Sequence, residues 1–96
     1  MMGLHDFFEY DERKAWINLK KHRVSFEEAM TVFTDPLSLT IPHPLHSEDE
    51  ERRIIIGQSL KKRLIVVVHI DHGEKIRIIS ARRPTAGERK QYEEAR

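Results

Sequence analysis

The chain has 96 residues, the length of one small domain, and its hydrophobic share of 39% is ordinary for a globular protein. The absence of cysteine excludes a disulfide scaffold and a thiolate metal site. The net charge is only +1, but residues 1–51 carry an excess of six negative charges and residues 52–96 an excess of seven positive ones. A chain with this asymmetry can present a basic face to a polyanion such as a nucleic acid.

No segment predicts membrane insertion or export. The longest apolar run, 64–68, is far too short to cross a bilayer, and the acidic N-terminal segment lacks the apolar core of a signal peptide. We therefore expect a cytoplasmic protein with no membrane partner, folded as a single domain over residues 1–96.

The N-terminal half predicts two helices. Before them, the apolar segment 7–10 fits either an edge strand or the packing of a helix start. Asp11 is a favourable N-cap for a first helix that ends near His22. The apolar side chains spaced for one face of this helix are Ala15, Trp16 and Leu19. We expect Trp16 in the hydrophobic core.

A second helix is predicted to begin at Ser25, where Ser25 and Glu28 have the spacing of a complete capping box. Its apolar stripe has helical periodicity and consists of Phe26, Ala29, Met30 and Phe33. The helix ends at Asp35-Pro36, because the residue before proline disfavours the helical conformation.

The following segments predict strands at 37–41, 53–57, 63–70 and 75–82, since they alternate in polarity or are rich in β-branched residues. A polar loop, 42–51, separates the first two. The tripeptide Asp71-His72-Gly73 has the composition of a hairpin turn.

A third helix is predicted after Pro84, where Thr85 and Glu88 repeat the capping-box spacing, and it ends near Ala95. The order of elements indicates an α+β domain: two N-terminal helices, an antiparallel sheet of three to four strands, and one C-terminal helix. Helices covering one face of such a sheet leave the other face to water or to a partner.

Arginines on the predicted sheet are the first candidates for function. Arg77 stands in the middle of an apolar strand and points away from its isoleucine neighbours. Arg82 and Arg83 lie where that strand ends, and Arg52 and Arg53 open a neighbouring one. A guanidinium group suits phosphate, because its planar donors bind two oxygens at once and stay charged. Ordinary solvent-facing charge is the competing interpretation, and it is weakest for Arg77.

His69 is a candidate for proton transfer, since histidine titrates near neutral pH. A three-residue turn at 71–73 places His69 and Arg77 on one face of the sheet, whereas a two-residue turn places them on opposite faces. The sequence leaves both registers open. Tyr92 can present its hydroxyl to the basic face or pack on the sheet, and a structural role at the helix end suffices for Lys21 and His22.

We expect no metal and no other cofactor. His43 and His46 stand near acidic residues, but they lie in an irregular loop, and no carboxylate cluster accompanies the basic strands. Without a metal, the reaction that a basic surface with these residues suits is RNA cleavage, in which the 2′-hydroxyl attacks the adjacent phosphorus. Such a reaction requires a base, an acid and fixed positive charge, which arginines together with His or Tyr provide.

Three segments, FEYDERKAWINLKKHRVSFEEAMTVFTDPLSLT, EERRIIIG and IRIISARRPTAGERKQYEE, closely resemble the BrnT-type toxins of bacterial toxin–antitoxin pairs. The resemblance extends over about residues 8–94. It implies a RelE-like fold, cleavage of messenger RNA that is free or bound to the ribosome, and neutralisation by a cognate antitoxin. The implied antitoxin has a ribbon-helix-helix DNA-binding domain, and its complex with the toxin is implied to bind operator DNA.

The resemblance also identifies site residues. The matching positions are Lys21, His22, Arg52, Arg77, Arg82, Glu88 and Tyr92. Arg53 departs from the family pattern, which often has an aromatic residue there. We expect Arg77 and Arg82 to bind phosphate and stabilise the transition state, with His69, His22 or Tyr92 transferring protons. Lys21, Arg52, Arg53 and Arg83 are expected to bind RNA. The alternatives are a non-catalytic basic binding module and a toxin that acts on a protein target.

Overall fold

The computed structural model describes residues 3–43 and 51–95, which form a five-stranded sheet between helices. The strand order is β1-β5-β4-β3-β2, and all neighbours are antiparallel except β1, which runs parallel to β5. The elements are β1 (Phe8–Glu9), α1 (Glu12–His22), α2 (Phe26–Val32), β2 (Leu39–Pro42), β3 (Arg53–Gln58), β4 (Leu64–His72), β5 (Lys75–Arg82) and α3 (Ala86–Glu94).

The predicted α+β class is confirmed, with one strand more than expected. The apolar segment 7–10 supplies this fifth strand, because Phe8 pairs with Ile76 and Glu9 with Arg77 along the free edge of β5. The strands differ from their predicted bounds by up to two residues, since pairing with a neighbour, rather than side-chain polarity, sets where a ladder stops. No helix in the described ranges is long and apolar enough to span a membrane.

Helices α1 and α2 pack on one face of the sheet, which we call the inner face. The apolar stripe predicted for α2 is confirmed: Phe26, Ala29 and Met30 are buried, and Phe33 packs against them. The cluster continues onto the strands through side chains that include Phe8, Ile55, Val67, Ile78 and Ala81. This continuous apolar volume is the larger of the two cores and carries most of the hydrophobic stabilisation.

The prediction that Trp16 is a core residue is wrong. Its side chain is 60% exposed, and Leu19 is also exposed. The residue of α1 that is buried is Asn18, whose side chain makes three hydrogen bonds to the backbone of Val24 and Ala81. These bonds orient the helix with Asn18 towards the sheet, so Trp16 and Leu19 border a surface groove and solvent, whereas Ala15 packs against the core.

Helix α3 packs on the opposite, outer face of the sheet. Tyr92 is its buried side chain and joins a second, smaller cluster formed by Ile54, Ile56, Val66 and Val68. The predicted capping box is present at Thr85 and Glu88. One short helix thus covers part of the outer face, which corrects the expectation that all the helices lie on one side.

The capping box predicted at Ser25 is only half correct. The Ser25 hydroxyl accepts a hydrogen bond from the Glu28 amide at 3.0 Å, as expected. The Glu28 carboxylate instead turns into the interior and pairs with Arg63 and Ser59. A charged guanidinium group is a stronger partner than a backbone amide, and it draws the carboxylate away from the helix start.

The β4–β5 hairpin turns at Gly73 and Glu74, not at residues 71–73. Gly73 has φ +64°, the left-handed conformation that glycine adopts without strain, and His72 pairs directly with Lys75. Asp71 and His72 therefore belong to β4. Between Val68 and His69 the register shifts by a bulge, in which β5 contributes one extra residue.

Candidate active site

The β1–β5 pairing and the hairpin bring three ionisable side chains together on the outer face. Glu9 lies beside Arg77 in the parallel register, and His72 lies on the same face as Arg77 because its partner is Lys75. The Arg77 Nε donates to the Glu9 Oε2 at 2.7 Å, and the His72 Nδ1 lies 2.7 Å from the same oxygen. We call Glu9, His72 and Arg77 the edge cluster.

The edge cluster is accessible to a substrate. The side chains of Arg77, His72 and Glu9 are 48%, 59% and 27% exposed. The hydrogen bond from Arg77 lowers the pKa of Glu9, partial burial opposes this effect, and His72 lowers the pKa further. Glu9 is consequently an ionised carboxylate at neutral pH.

Arg82 points to the same face as Arg77, but its guanidinium group is already engaged. Its two terminal nitrogens donate to the two Glu88 carboxylate oxygens at 2.7 and 2.9 Å. The Glu88 carboxylate also accepts from the Thr85 amide at 2.9 Å. The hydrogen bonds from Arg82 are the main reason that the pKa of Glu88 falls to about 2. Arg82 thus ties α3 to the sheet.

The bulge places Arg77 and Arg82 on one face. Residues five positions apart in a regular strand point to opposite faces, but the extra residue restores the alternation, so that Arg77 pairs with Ile70 and Arg82 with Val66. The Cα atoms of Arg77 and Arg82 are about 13 Å apart along the sheet, because their partners Ile70 and Val66 are four residues apart at about 3.3 Å per residue. Since the terminal nitrogens of Arg82 donate to Glu88, Arg77 is the arginine of the two that is open to a phosphate group.

A basic cavity of about 310 Å³ opens at the other end of the outer face, beside α3. Its cationic lining consists of Lys62, Arg63, Arg83 and Arg89. Arg63 is fixed by Glu28, and its Nη2 donates to the Arg23 carbonyl at 3.1 Å, so the end of α1 lies beside it. Burial raises the pKa of Glu28, but the hydrogen bonds from Arg63 and Ser59 outweigh this effect and lower it.

The predicted proton-transfer residues lie apart from Arg77. The two-residue turn places His69 on the inner face, where it pairs with Ile78, is only 5% exposed and contacts the edge of Phe33 at 4.9 Å between ring centroids. Burial lowers the pKa of His69 and favours its neutral form. Tyr92 is also buried, and its hydroxyl donates to the Asp35 carboxylate at 2.7 Å. His22 is partly exposed at the end of α1.

The predicted RNA-binding residues are divided among three places. Arg83 lines the basic cavity, and Lys21 is exposed near the end of α1. Arg53 opens β3 on the inner face, where it pairs with Asp71 at 3.1 Å, and Arg52 precedes it. Over residues 3–43 and 51–95, no group of three or more His, Asp or Glu residues is arranged to hold a metal ion. His46 lies outside the described residues.

Sequence reasoning missed Glu9, His72 and Arg89. Glu9 depends on a two-residue strand whose partner is the last strand of the sheet, and no local pattern indicates that pairing. His72 was assigned to a turn because Asp-His-Gly has turn composition. Arg89 lies in α3, whose start was correctly predicted. Its spacing of three residues from Tyr92 places the two side chains on neighbouring parts of the helix surface, and this spacing could have indicated Arg89.

Comparison with known proteins gives a family and a fold. The family model described as "Ribonuclease toxin, BrnT, of type II toxin-antitoxin system" matches residues 10–88. The crystal structure of the Brucella abortus ribonuclease toxin BrnT is similar to this chain, with a TM-score of 0.60 and 21% identity over 81% of this chain and 95% of that one. At this identity the likeness concerns the fold. No curated protein matches the chain.

Proposed function

Because the chain belongs to the BrnT family of ribonuclease toxins of type II toxin–antitoxin systems, we propose that it cleaves messenger RNA without a metal ion and thereby inhibits translation. The supporting observation is the exposed guanidinium group of Arg77 on the same face as the basic cavity. An RNA strand on this face meets a phosphate-binding arginine and four further cations.

The reaction is attack of the 2′-hydroxyl on the neighbouring phosphorus, which confines activity to RNA. Arg77 contacts the reacting phosphate and offsets the charge that develops on its oxygens. Arg83, together with Lys62 and Arg89, holds the flanking strand. Arg82 acts on the reaction by positioning α3, since its own donors are taken by Glu88.

A type II system implies a cognate antitoxin. We assign to that antitoxin a ribbon-helix-helix DNA-binding domain, so that the toxin reaches operator DNA only through the complex. Cleavage of messenger RNA, free or on the ribosome, places the action of the toxin in the cytoplasm.

The test uses the full-length toxin, purified free of antitoxin and incubated with RNA in EDTA. Products that end in 2′,3′-cyclic phosphate support the proposal, and RNA with 2′-deoxy substitutions should stay intact. Arg77→Ala should reduce cleavage strongly, whereas Lys90→Ala, on the exposed side of α3, should not. Intact RNA with salt-sensitive binding would instead favour a binding module. Growth arrest with intact cellular RNA would favour a protein target.

A further inference from the structure

We propose that Glu9 is the general base and His72 the general acid of the RNA cleavage, with Arg77 holding the reacting phosphate between them. This assignment rests on the proposed function and names the groups that move the protons. It arises from the contacts of the edge cluster, in which one carboxylate oxygen lies 2.7 Å from both a guanidinium nitrogen and an imidazole nitrogen.

The edge cluster contains each kind of group that metal-free RNA cleavage needs. Metal-free cleavage requires a group that accepts a proton, a group that donates one, and a fixed cation for the phosphorane. Glu9, His72 and Arg77 are one of each, and they come from three separate strand positions that the fold brings together. In the free protein His72 and Arg77 both contact Glu9 directly, so the reacting phosphate must displace the contact between His72 and Glu9 in order to lie between acid and base.

Arg77 and His72 each keep donor atoms free for a substrate. Arg77 contacts Glu9 only through Nε, and no contact with another described residue engages its two terminal nitrogens. His72 uses Nδ1 towards Glu9, which leaves Nε2 on the solvent side of the ring. An ion pair this exposed contributes little to the stability of a fold, so structure alone gives little reason for the arrangement.

The ionisation of Glu9 fits the role of a base. The hydrogen bond from Arg77 is the main reason that its pKa lies below the ordinary value, so the carboxylate is ionised at neutral pH but is a weak base until Arg77 moves. The charged groups that face it are Arg77 from β5 and His72 from β4, with Lys75 paired to His72. When a phosphate draws Arg77 towards itself, the carboxylate loses part of that stabilisation and becomes a stronger base.

The proton and bond balance closes within the cluster. Glu9 takes the proton from the 2′-hydroxyl, and the 2′-oxygen forms a bond to phosphorus. The bond from phosphorus to the 5′-oxygen breaks, and that oxygen takes a proton from Nε2 of protonated His72. The products are a 2′,3′-cyclic phosphate and a 5′-hydroxyl. Glu9 has then gained the one proton that His72 has lost, and exchange with water restores both.

The experiment compares Glu9→Gln and His72→Gln with two control variants, Glu74→Gln and His5→Gln, which remove the same groups from exposed positions outside the cluster. The full-length toxin, free of antitoxin, is given a short RNA in EDTA, and single-turnover rates are measured across pH. Each cluster variant should lose at least about 10²-fold in rate near neutral pH. Glu9→Gln should abolish the acidic fall of the profile, because the base must be ionised to accept a proton.

A second substrate separates proton donation from a merely structural effect. Replacing the bridging 5′-oxygen of the RNA by sulfur creates a leaving group that departs without a proton. His72→Gln should then recover most of its rate, whereas Glu9→Gln should not. A folded Glu9→Gln or His72→Gln protein with an undiminished rate, or a His72→Gln defect that sulfur does not relieve, overturns the assignment. Absence of cleavage by the unsubstituted toxin overturns the proposed function itself.

Discussion

Arg82 and Glu88 join the end of β5 to the first turn of α3 through two parallel hydrogen bonds of 2.7 and 2.9 Å. The side chains are 32% and 17% exposed, so water screens the pair only in part. The same carboxylate completes the helix cap with Thr85. This ion pair therefore helps to hold α3 on the outer face, together with the buried Tyr92.

Acid should weaken the attachment of α3. The pKa of Glu88 is about 2 in the folded protein against 4.5 for an ordinary glutamate, so its stabilising effect is complete above about pH 4.5 and is lost as the pH falls through 2. After allowance for solvent screening, Glu88→Gln should reduce the free energy of unfolding by roughly 2 kcal/mol at pH 7.

The measurement is urea unfolding of both proteins at pH 7 and pH 3. The difference between them should shrink at pH 3, because Glu88 is then protonated in the unfolded chain and its ionisation in the folded protein contributes less to stability. Glu94→Gln, on the exposed side of α3, is the control and should change stability by less than about 0.5 kcal/mol. An equal difference at both pH values would contradict the prediction.

Substitution of Asn18 should reduce the stability of the protein more than substitution of a typical polar residue does. Asn18 donates to the carbonyls of Val24 and Ala81 and accepts from the Ala81 amide, all in the buried interior. Asn18→Ala leaves these backbone groups without partners and should reduce the free energy of unfolding by about 2–4 kcal/mol. Ile17→Ala, on the exposed side of the same helix, should change it by less than about 1 kcal/mol. Chemical denaturation followed by circular dichroism measures both.

Substituting alanine for Gly57 and for Gly87 should change the stability of the protein in opposite directions. A Cβ at Gly57 would lie 2.9 Å from the Val32 Cγ1 and 3.1 Å from the Ser38 Cβ, so Gly57→Ala should destabilise the protein by about 1–3 kcal/mol. A Cβ at Gly87 meets nothing closer than 4.0 Å within α3, where Gly87→Ala should stabilise by up to about 1 kcal/mol. Thermal unfolding of the two variants gives the signs directly, and a neutral Gly57→Ala would contradict the packing argument.

Cations of the basic cavity should contribute to RNA affinity without regard to sequence. Arg83→Ala and Arg89→Ala should each weaken the binding of a non-cleavable 2′-O-methyl RNA. Each should also flatten the dependence of log affinity on log salt by about 0.7, the value for one phosphate contact on a single strand. Lys90→Ala is the matched control, and fluorescence anisotropy at several salt concentrations is the measurement. An unchanged salt dependence would place the RNA elsewhere.

Local patterns predicted much of the fold. The Asp11 and Thr85 caps, the apolar stripe of α2 and the strand at 75–82 all depend on residues close in sequence, and the structure has them where expected. The prediction that Trp16 lies in the core was wrong because the hydrogen bonds of Asn18, and not apolar periodicity, orient α1.

The candidate site was harder to predict because it depends on long-range register. Arg77 could be singled out from strand alternation, but its carboxylate partner comes from a strand of two residues. The bulge between Val68 and His69 also has no sequence signal, and it decides which side chains share a face with Arg77.

The parallel pairing of β1 with β5 also has a temporal consequence. Glu9 precedes Arg77 by 68 positions, so the ribosome makes β1 well before β5. During translation β1 has no edge to join until β5 has emerged, so the nascent chain cannot assemble the edge cluster. The edge cluster is therefore a late product of synthesis, complete only after the five strands of the sheet have all been made.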